Sequence, residues 1–517
     1  EDALKLDADL PEALFNRGLL LQERRLWKQA EEAWDRYLQI DSASRWAGEA
    51  RKYRGIASEE SKRQVSENTD DVLRDFLDAY RANDKGKVER LIAHNREPVT
   101  GRVVWWQLTD AYLNAARQGD ADYSHLLLQA LSHAGQLELE KGDRFTSDLA
   151  LLYRSFSPQQ REIIFEAHKE MDQGNKSYLG PNPGDALGHY ERAGTLFRQA
   201  RDQPEAYLAD LMIGFQHYQR NDAKQSVLLL SQLAKTCRNK QYLSLLVQVL
   251  GAESAAHFSL RELSKTQRYT EEAVEVANRI NDVHGFHKNL AQLANFHRFL
   301  DDFDQSLSNL HRCLEEAPAN WPGLRQMWRT YDTMAQVLVS SRFYATAADF
   351  QKEALWLASN GPNDFKFIAD SCIRLAAIYG TLGYNGEAKN LIQIGLNASR
   401  QSNNNKTISY ALLRIGHVYQ QSRDFDQAIS YYNQALETNQ DAGDLVYSAS
   451  KGRLICFLSQ KKDDLAKDEI QKVLDIAEGY RQKILAGDNG DTRLDERSKH
   501  TFFDAEQNFF DIAIDFE

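Results

Sequence analysis

Helix-breaking residues are scarce in this sequence. Its 517 residues include 28 glycines and 9 prolines, about 7% of the chain where roughly 12% is usual. Sandwiches and barrels need turn residues every 8 to 12 positions or so, so this shortage points to helices. Cysteine is rarer still. The four present (Cys237, Cys313, Cys372 and Cys456) lie far apart and lack the spacing of a metal site. They read as reduced, packed thiols of a cytoplasmic protein. Basic excess is missing: 63 Lys and Arg against 75 Asp and Glu leave a net charge of −12, which argues against nucleic-acid partners. No run approaches the roughly 18 apolar residues of a membrane span, and no secretory signal opens the sequence. Neither a membrane nor a cofactor is expected as a partner.

What is present suffices to fold. Hydrophobic residues make up 42% and charged residues 27%, a globular composition. The length calls for about three domains or one repeat array. The opening EDALKLDADLPEAL reads as the end of one helix and the start of a unit, so we expect a piece of something longer.

A repeat decides between domains and an array. Its clearest unit is ISYALLRIGHVYQQSRDFDQAISYYNQALE, from Ile408 to Glu437. Two amphipathic helices are expected to pack antiparallel across the polar turn Ser422-Arg423-Asp424. Gly416 and Ala428 would sit where the backbones approach, and Tyr419, Phe425 and Tyr432 would fill the space around them. These small and aromatic positions closely resemble those of a tetratricopeptide repeat. The pattern returns about every 40 residues: Ala376, Tyr379, Gly383, Ala388 and Ile392, then Ala335, Leu338, Ala347 and Ala354, then Ala294, Phe303, Leu310 and Cys313 before Pro318. Gly214, Ser226, Leu230 and Leu233 mark another unit, and Gly174, Ala186, Tyr190 and Ala193 the first. A degenerate unit near Ser254 to Ala273 and one through Leu454, Phe457, Ala466 and Val473 bring the expectation to eight. Armadillo and HEAT repeats share a period near 40, longer than the roughly 34 of the tetratricopeptide family. The recurrent Gly and Ala pairs favour the tetratricopeptide reading.

The fold class expected is therefore all-α, a right-handed superhelical solenoid of tetratricopeptide-like hairpins. Residues 1–53 form a separate N-terminal unit, with Leu14, Gly18, Leu21, Trp27, Ala30, Trp34 and Tyr37 in register. Residues 54–165 form an irregular helical block, whose first part, 54–70, is polar and reads as a linker or loop. The eight repeats span 166–482. Residues 483–517 form a capping or linker helix carrying Phe502, Phe503, Phe509, Phe510 and Ile512.

This order of parts resembles the N-terminal half of bacterial tetratricopeptide–CHAT proteins. It consists of PEALFNRGLLL…AWDRYLQIDSASRWAGEAR, then DFLDAYRANDKGKVERLI, then 40-residue repeats and a Phe-rich helix. In that family a caspase-like protease domain follows the repeats, and the solenoid senses or holds a partner. The resemblance implies regulation of such a protease. The family's catalytic His-Gly and Cys, each after a buried strand, find no counterpart. His284-Gly285 precedes a repeat helix and Cys237 ends one, so a protease domain would lie beyond Glu517.

Candidate sites come from repeat positions. His284-Gly-Phe-His287 has metal-like spacing without accompanying ligands and reads as a solvated helix start. His217, His257 and His297 fall 40 residues apart and read as satisfied core histidines, with a pH-sensitive seam as the alternative. Family positions place Asn175, Tyr178, Phe215, Tyr218, Phe258, Asn295, Arg298, Phe299, Gln336, His417 and Gln420 on the concave face of the first helices. Aromatic, Arg and amide side chains suit a protein or peptide ligand. The same rings would otherwise fill the wider interior of a 40-residue unit. No Lys occupies the key groove position that, with Asn175 or Asn295, would form a carboxylate clamp. KKDDLAKDE (461–469) reads as a solvated face, and Gly-Pro-Asn-Pro-Gly (180–184) as a turn that lacks a phosphate loop's Lys-Ser/Thr. No catalytic constellation is found, so the segment reads as a non-enzymatic scaffold, with a stand-alone signalling regulator or a structural assembly module as the alternatives.

Overall fold

The computed structural model describes residues 2–66, 72–96, 103–179, 185–220, 222–317, 323–361, 365–402, 404–439 and 443–486. The turn 180–184, Pro318 and the Phe-rich stretch 501–517 lie outside them. Every regular element among the described residues is helical. Two compact units result: residues 1–68 with 303–477, and residues 69–302 with 478–517.

The first unit opens with α1 (Asp2–Leu6), α2 (Pro11–Glu23), α3 (Trp27–Ile40) and α4 (Arg45–Ser66). Trp34 is fully buried, and a Cβ on Gly18 would stand 2.7 Å from its ring. Only glycine lets α2 and α3 approach this closely. Phe15 meets Trp34, Tyr37 and Trp46 edge-on at 5.1, 5.3 and 5.4 Å. The polar stretch expected as a linker from residue 54 is instead the second half of α4, which runs unbroken to Ser66. Ala47, Ala50, Ala57, Ser61 and Gln64 form its buried face. Their helical spacing is real, but small and polar side chains carry no hydrophobic signal.

The second unit begins with α5 (Val72–Arg81), α6 (Lys85–His94), a π-helical turn (Val103–Gln107), α7 (Leu108–Gln118), α8 (Ala121–Glu140) and α9 (Phe145–Ser155). Longer helices follow: α10 (Pro158–Leu179), α11 (Ala186–Gln199), α12 (Gln203–Gln219), α13 (Ala223–Lys240), α14 (Leu243–Ser259), α15 (Leu263–Arg279) and α16 (Val283–Phe299). The first unit then resumes with α17 (Phe303–Glu316), α18 (Leu324–Ser340), α19 (Tyr344–Asn360), α20 (Phe365–Leu382), α21 (Asn385–Gln401), α22 (Asn405–Gln421), α23 (Phe425–Thr438), α24 (Gly443–Ser459) and α25 (Asp463–Ala486).

From α10 onward the helices alternate as first and second members of hairpins. The turns share one chemistry. Arg261, Arg342, Arg423 and Lys461 adopt positive φ of 63°, 64°, 61° and 56°, closing the first helix in the left-handed conformation. Asp222 and Asp424 then cap the second helix by accepting from the amides of Gln225 and Gln427. Within the hairpin of α22 and α23, a Cβ on Gly416 would stand 2.5 Å from the Tyr432 ring, and one on Gly452 of α24 would overlap the same ring. Tyr432 is thus clamped between two glycines. Gly174 and Tyr190 repeat the arrangement at 2.6 Å in α10 and α11.

The N-terminal helices do not stand apart within their unit. They pack on α18 and α19. Glu353 of α19 accepts from the Lys28 amide at 3.1 Å and from Gln29 Nε2 at 3.3 Å, so it caps α3 across 325 positions of sequence. Arg17 pairs with Asp349 at 3.1 Å, and the Tyr331 hydroxyl donates to the Arg25 carbonyl at 2.7 Å. Burial pushes the Glu353 carboxyl up to about 7, against the lowering pull of the amides and Gln29 that it accepts from.

In the second unit the short helices meet the N-terminal ends of α12, α14 and α16. Tyr153 of α9 donates to Glu205 at 2.7 Å. Asp143, before α9, accepts from the Leu243 and Ser244 amides at 3.0 and 3.1 Å, capping α14. Arg96, after α6, is buried against Glu138 at 2.7 Å and feels the charge of Asp282 at the head of α16. His168 of α10 is buried between Glu205 at 3.0 Å and Asp110 at 3.7 Å, its ring stacked on Trp106 at 4.3 Å. Burial disfavours its charge, but Glu205 and Asp110 overcome this and hold the imidazole at about 9. A raised histidine stabilises fully below its ordinary value near 6.5, and that contribution is lost as pH climbs through 9. Chemical denaturation between pH 6.5 and 9 is therefore expected to lose roughly 3 kcal/mol from this group. His168→Gln should flatten that slope; an unchanged slope would remove His168 from the account.

Candidate functional site

Family position places the eleven strip residues on first helices, and the structure divides them between the units. Eight lie in the second unit. Tyr178 of α10 meets Phe215 of α12 at 5.8 Å, and Phe215 meets Tyr218 at 5.9 Å. Phe258 of α14 and Phe299 of α16 meet edge-on at 5.0 Å, over buried Leu263, Leu293 and Phe296. All five rings are partly exposed. The short helices cover the N-terminal ends of α12 and α14, whereas these rings sit toward the C-terminal ends. That separation leaves the rings accessible.

One member of this cluster is not legible in the sequence pattern. Arg261, the left-handed residue after α14, lays its guanidinium 5.7 Å over Phe258 and 5.4 Å over Phe299. Its position in a turn hides it from helix-face arguments. Arg298 donates to Asn295 Oδ1 at 3.4 Å, so an Arg and an amide adjoin the ring pair. Asn175 is partly committed: it accepts from the Tyr190 hydroxyl at 2.9 Å.

The other three lie in the first unit and belong to its packing. Gln420 accepts from Tyr432, whose ring meets His417 at 5.5 Å. Burial, with Arg414 adding to it, pushes His417 down to about 4. Gln336 donates to Asp332 at 2.9 Å. Gln420 and His417 thus tie α22 to α23 through Tyr432, and Gln336 bonds within α18.

Two histidine readings can be compared with the geometry. His284 and His287 are buried, 4% and 1% exposed, so the expected solvated helix start is corrected. The end of α6 packs over the head of α16, and burial drives His287 down to about 3. His217, His257 and His297 each turn Nδ1 toward the acid five positions on: Asp222 at 3.3 Å, Glu262, and Asp302 at 3.6 Å. The same acids donate their amides to the histidine carbonyls. These histidines close hairpin turns. Among the described residues no group of three or more His, Cys, Asp or Glu could hold a metal. The four cysteines are buried and unbridged. Burial raises Cys237, Cys313 and Cys372 to about 12 and Cys456 to about 11, far from thiolate chemistry. No helix among the described residues is long and apolar enough to cross a membrane.

Comparison with known proteins agrees with the repeat. The tetratricopeptide repeat family model matches residues 409–441, the hairpin of α22 and α23. The chain thus contains a tetratricopeptide repeat at these residues and has the fold of helical-repeat solenoids. It is similar to the crystal structure of a Rap protein complexed with competence and sporulation factor, at 14% identity, covering 73% of this chain and 98% of that one, with a TM-score of 0.50. The apo quorum sensor NprR from B. thuringiensis is similar at 12% identity, covering 72% and 97%, with a TM-score of 0.49. Aspartyl phosphate phosphatase F from Bacillus subtilis is similar at 12% identity, covering 72% and 95%, with a TM-score of 0.46. Curated proteins give no match.

Proposed function

We propose that the chain is a non-enzymatic recognition scaffold that takes a protein or peptide segment on its first helices. The observation that carries this is the pair of ring clusters on α10, α12, α14 and α16. Five partly exposed rings, with Arg261 over two of them, offer area at low entropic cost, and Arg298 and Asn295 stand beside them as polar partners. The Rap protein of similar fold is complexed with a factor, which supports the use of such a solenoid for capture.

Peptides selected from a random linear library against the chain test this reading. They should lose at least tenfold in affinity, about 1.4 kcal/mol, on Tyr218→Ala/Phe258→Ala. They should keep it on Leu228→Ser, which alters an exposed residue of α13. Melting temperatures of the variants guard against unfolding. Equal binding to all three forms would overturn the reading.

A finer reading makes this the sensing half of a tetratricopeptide–CHAT protein with a caspase-like protease beyond Glu517. It is supported by the order of N-terminal repeat, helical hairpin and 40-residue repeats. Sequencing the reading frame past Glu517 tests it. His-Gly and Cys after apolar strands would support it, and an early stop codon would end it.

A further inference from the structure

The hairpin turn after α14 carries a cation set among rings. Arg261 is partly exposed and lays its guanidinium over Phe258 at 5.7 Å and Phe299 at 5.4 Å. Among the described residues its side chain forms no ion pair and no hydrogen bond. The carboxylate next to it in sequence is taken, because Glu262 holds His257 and Lys265. Of the acids that follow α16, Asp302 pairs with His297, and Asp301 forms no ion pair with Arg261. The helices that supply the rings add no competitor. Together α14 and α16 hold one acid, Glu253, against Lys288 and Arg298, and Glu253 is buried. In a chain of net charge −12, this stretch of surface runs against the whole.

The turn itself does not require arginine. At a φ of 63° glycine is the unstrained residue. A cation there complements the dipole of α14, but that effect needs no rings beside it. A guanidinium presents a planar fork that fits a carboxylate bidentately and stacks on aromatic faces. Rings on its flank keep water away and strengthen such a bond. The rings in turn gain from apolar cover. An acidic side chain next to an apolar one satisfies both demands.

We propose that the cluster of Phe258, Phe299 and Arg261 selects ligand segments carrying an Asp or Glu side chain beside an aromatic or aliphatic residue. Arg261 takes the carboxylate, and the two rings take the apolar neighbour. The inference rests on the reading of the first helices as a recognition surface and adds the chemistry of what they take.

The probes are the peptides selected from the random linear library against the full chain, labelled with fluorescein and titrated by anisotropy. Each is made with a free and with an amidated C-terminus. The selected peptides should share an Asp or Glu adjacent to an aromatic or aliphatic residue, and amidation should leave affinity unchanged. Changing that acid to its amide should cost about tenfold or more on the unaltered chain and less than about twofold on Arg261→Gly. The positive φ favours that variant, so it should melt no earlier than the unaltered chain. Should it do so, Arg261→Asn replaces it, since Asn also tolerates this backbone. Changing the acid to Lys should weaken binding to the unaltered chain and restore it on Arg261→Glu. Peptides with no acid in common, an acid whose loss costs the same on both forms, or binding lost on amidation, which would give Arg261 a chain terminus instead, would overturn the inference. If those same peptides still lose affinity on Tyr218→Ala/Phe258→Ala, the recognition reading stands without it. If that variant binds them as the unaltered chain does, or the library yields no binder, the recognition reading falls and takes this inference with it.

Discussion

Tyr432→Ala is expected to unfold the hairpin of α22 and α23 at a cost of about 3–5 kcal/mol, the range for emptying a buried aromatic site. Tyr432 is fully buried and fills the gap that Gly416 and Gly452 leave open. Its hydroxyl also serves Gln420, so truncation strands that amide. Tyr432→Phe keeps the ring and should cost about 1 kcal/mol, the worth of one hydrogen bond. Denaturant titration distinguishes these. Similar losses for both variants would mean the hydroxyl, not the ring, holds the hairpins together. Because repeat arrays lose stability through neighbouring interfaces, hydrogen exchange in α20 to α24 should accelerate together.

Arg96→Met should be comparably damaging in the second unit. Arg96 and Glu138 are 5% and 3% exposed and 2.7 Å apart. Removing one partner leaves a buried carboxylate alone, at a cost of about 3–5 kcal/mol. Burial, opposed by Arg96, holds Glu138 at about 7. Since the folded carboxyl binds its proton more readily than an unfolded one near 4.5, its contribution falls as pH rises from 4.5 to 7. Without Arg96 the carboxyl should rise further. The deficit of Arg96→Met is therefore expected to shrink on acidification to about pH 5. Arg96→Met/Glu138→Gln should recover most of the loss, because a neutral pair avoids the stranded charge. A double variant no better than the single would contradict this.

How much of this was legible in the sequence depends on what a residue's signal is made of. The helical solenoid was legible because Gly416, Ala428 and Tyr432 combine a period with a size pattern that only packed hairpins require. The helicity of residues 54–66 was not, since Ala57, Ser61 and Gln64 bury a face without apolar bulk. The docking of α3 on Glu353 could not be read either, because it joins residues 325 positions apart through one carboxylate. The same limit applied to His287, whose burial comes from α6 rather than from its own helix. In the candidate site, Tyr178, Phe215, Tyr218, Phe258 and Phe299 form ring clusters. Gln336, His417 and Gln420 share those positions but bond within the fold. Position in a repeat names a face; which atoms remain available is decided by neighbouring helices.

The claim that first helices take a ligand is tested most directly by hydrogen exchange with mass spectrometry. The full chain would be measured with and without a library-selected peptide. The account predicts slowed exchange in the C-terminal halves of α12, α14 and α16, around Tyr218, Phe258 and Phe299, and unchanged exchange along α13 and α15. Protection confined to α13 and α15 would place the ligand on the second helices and contradict it.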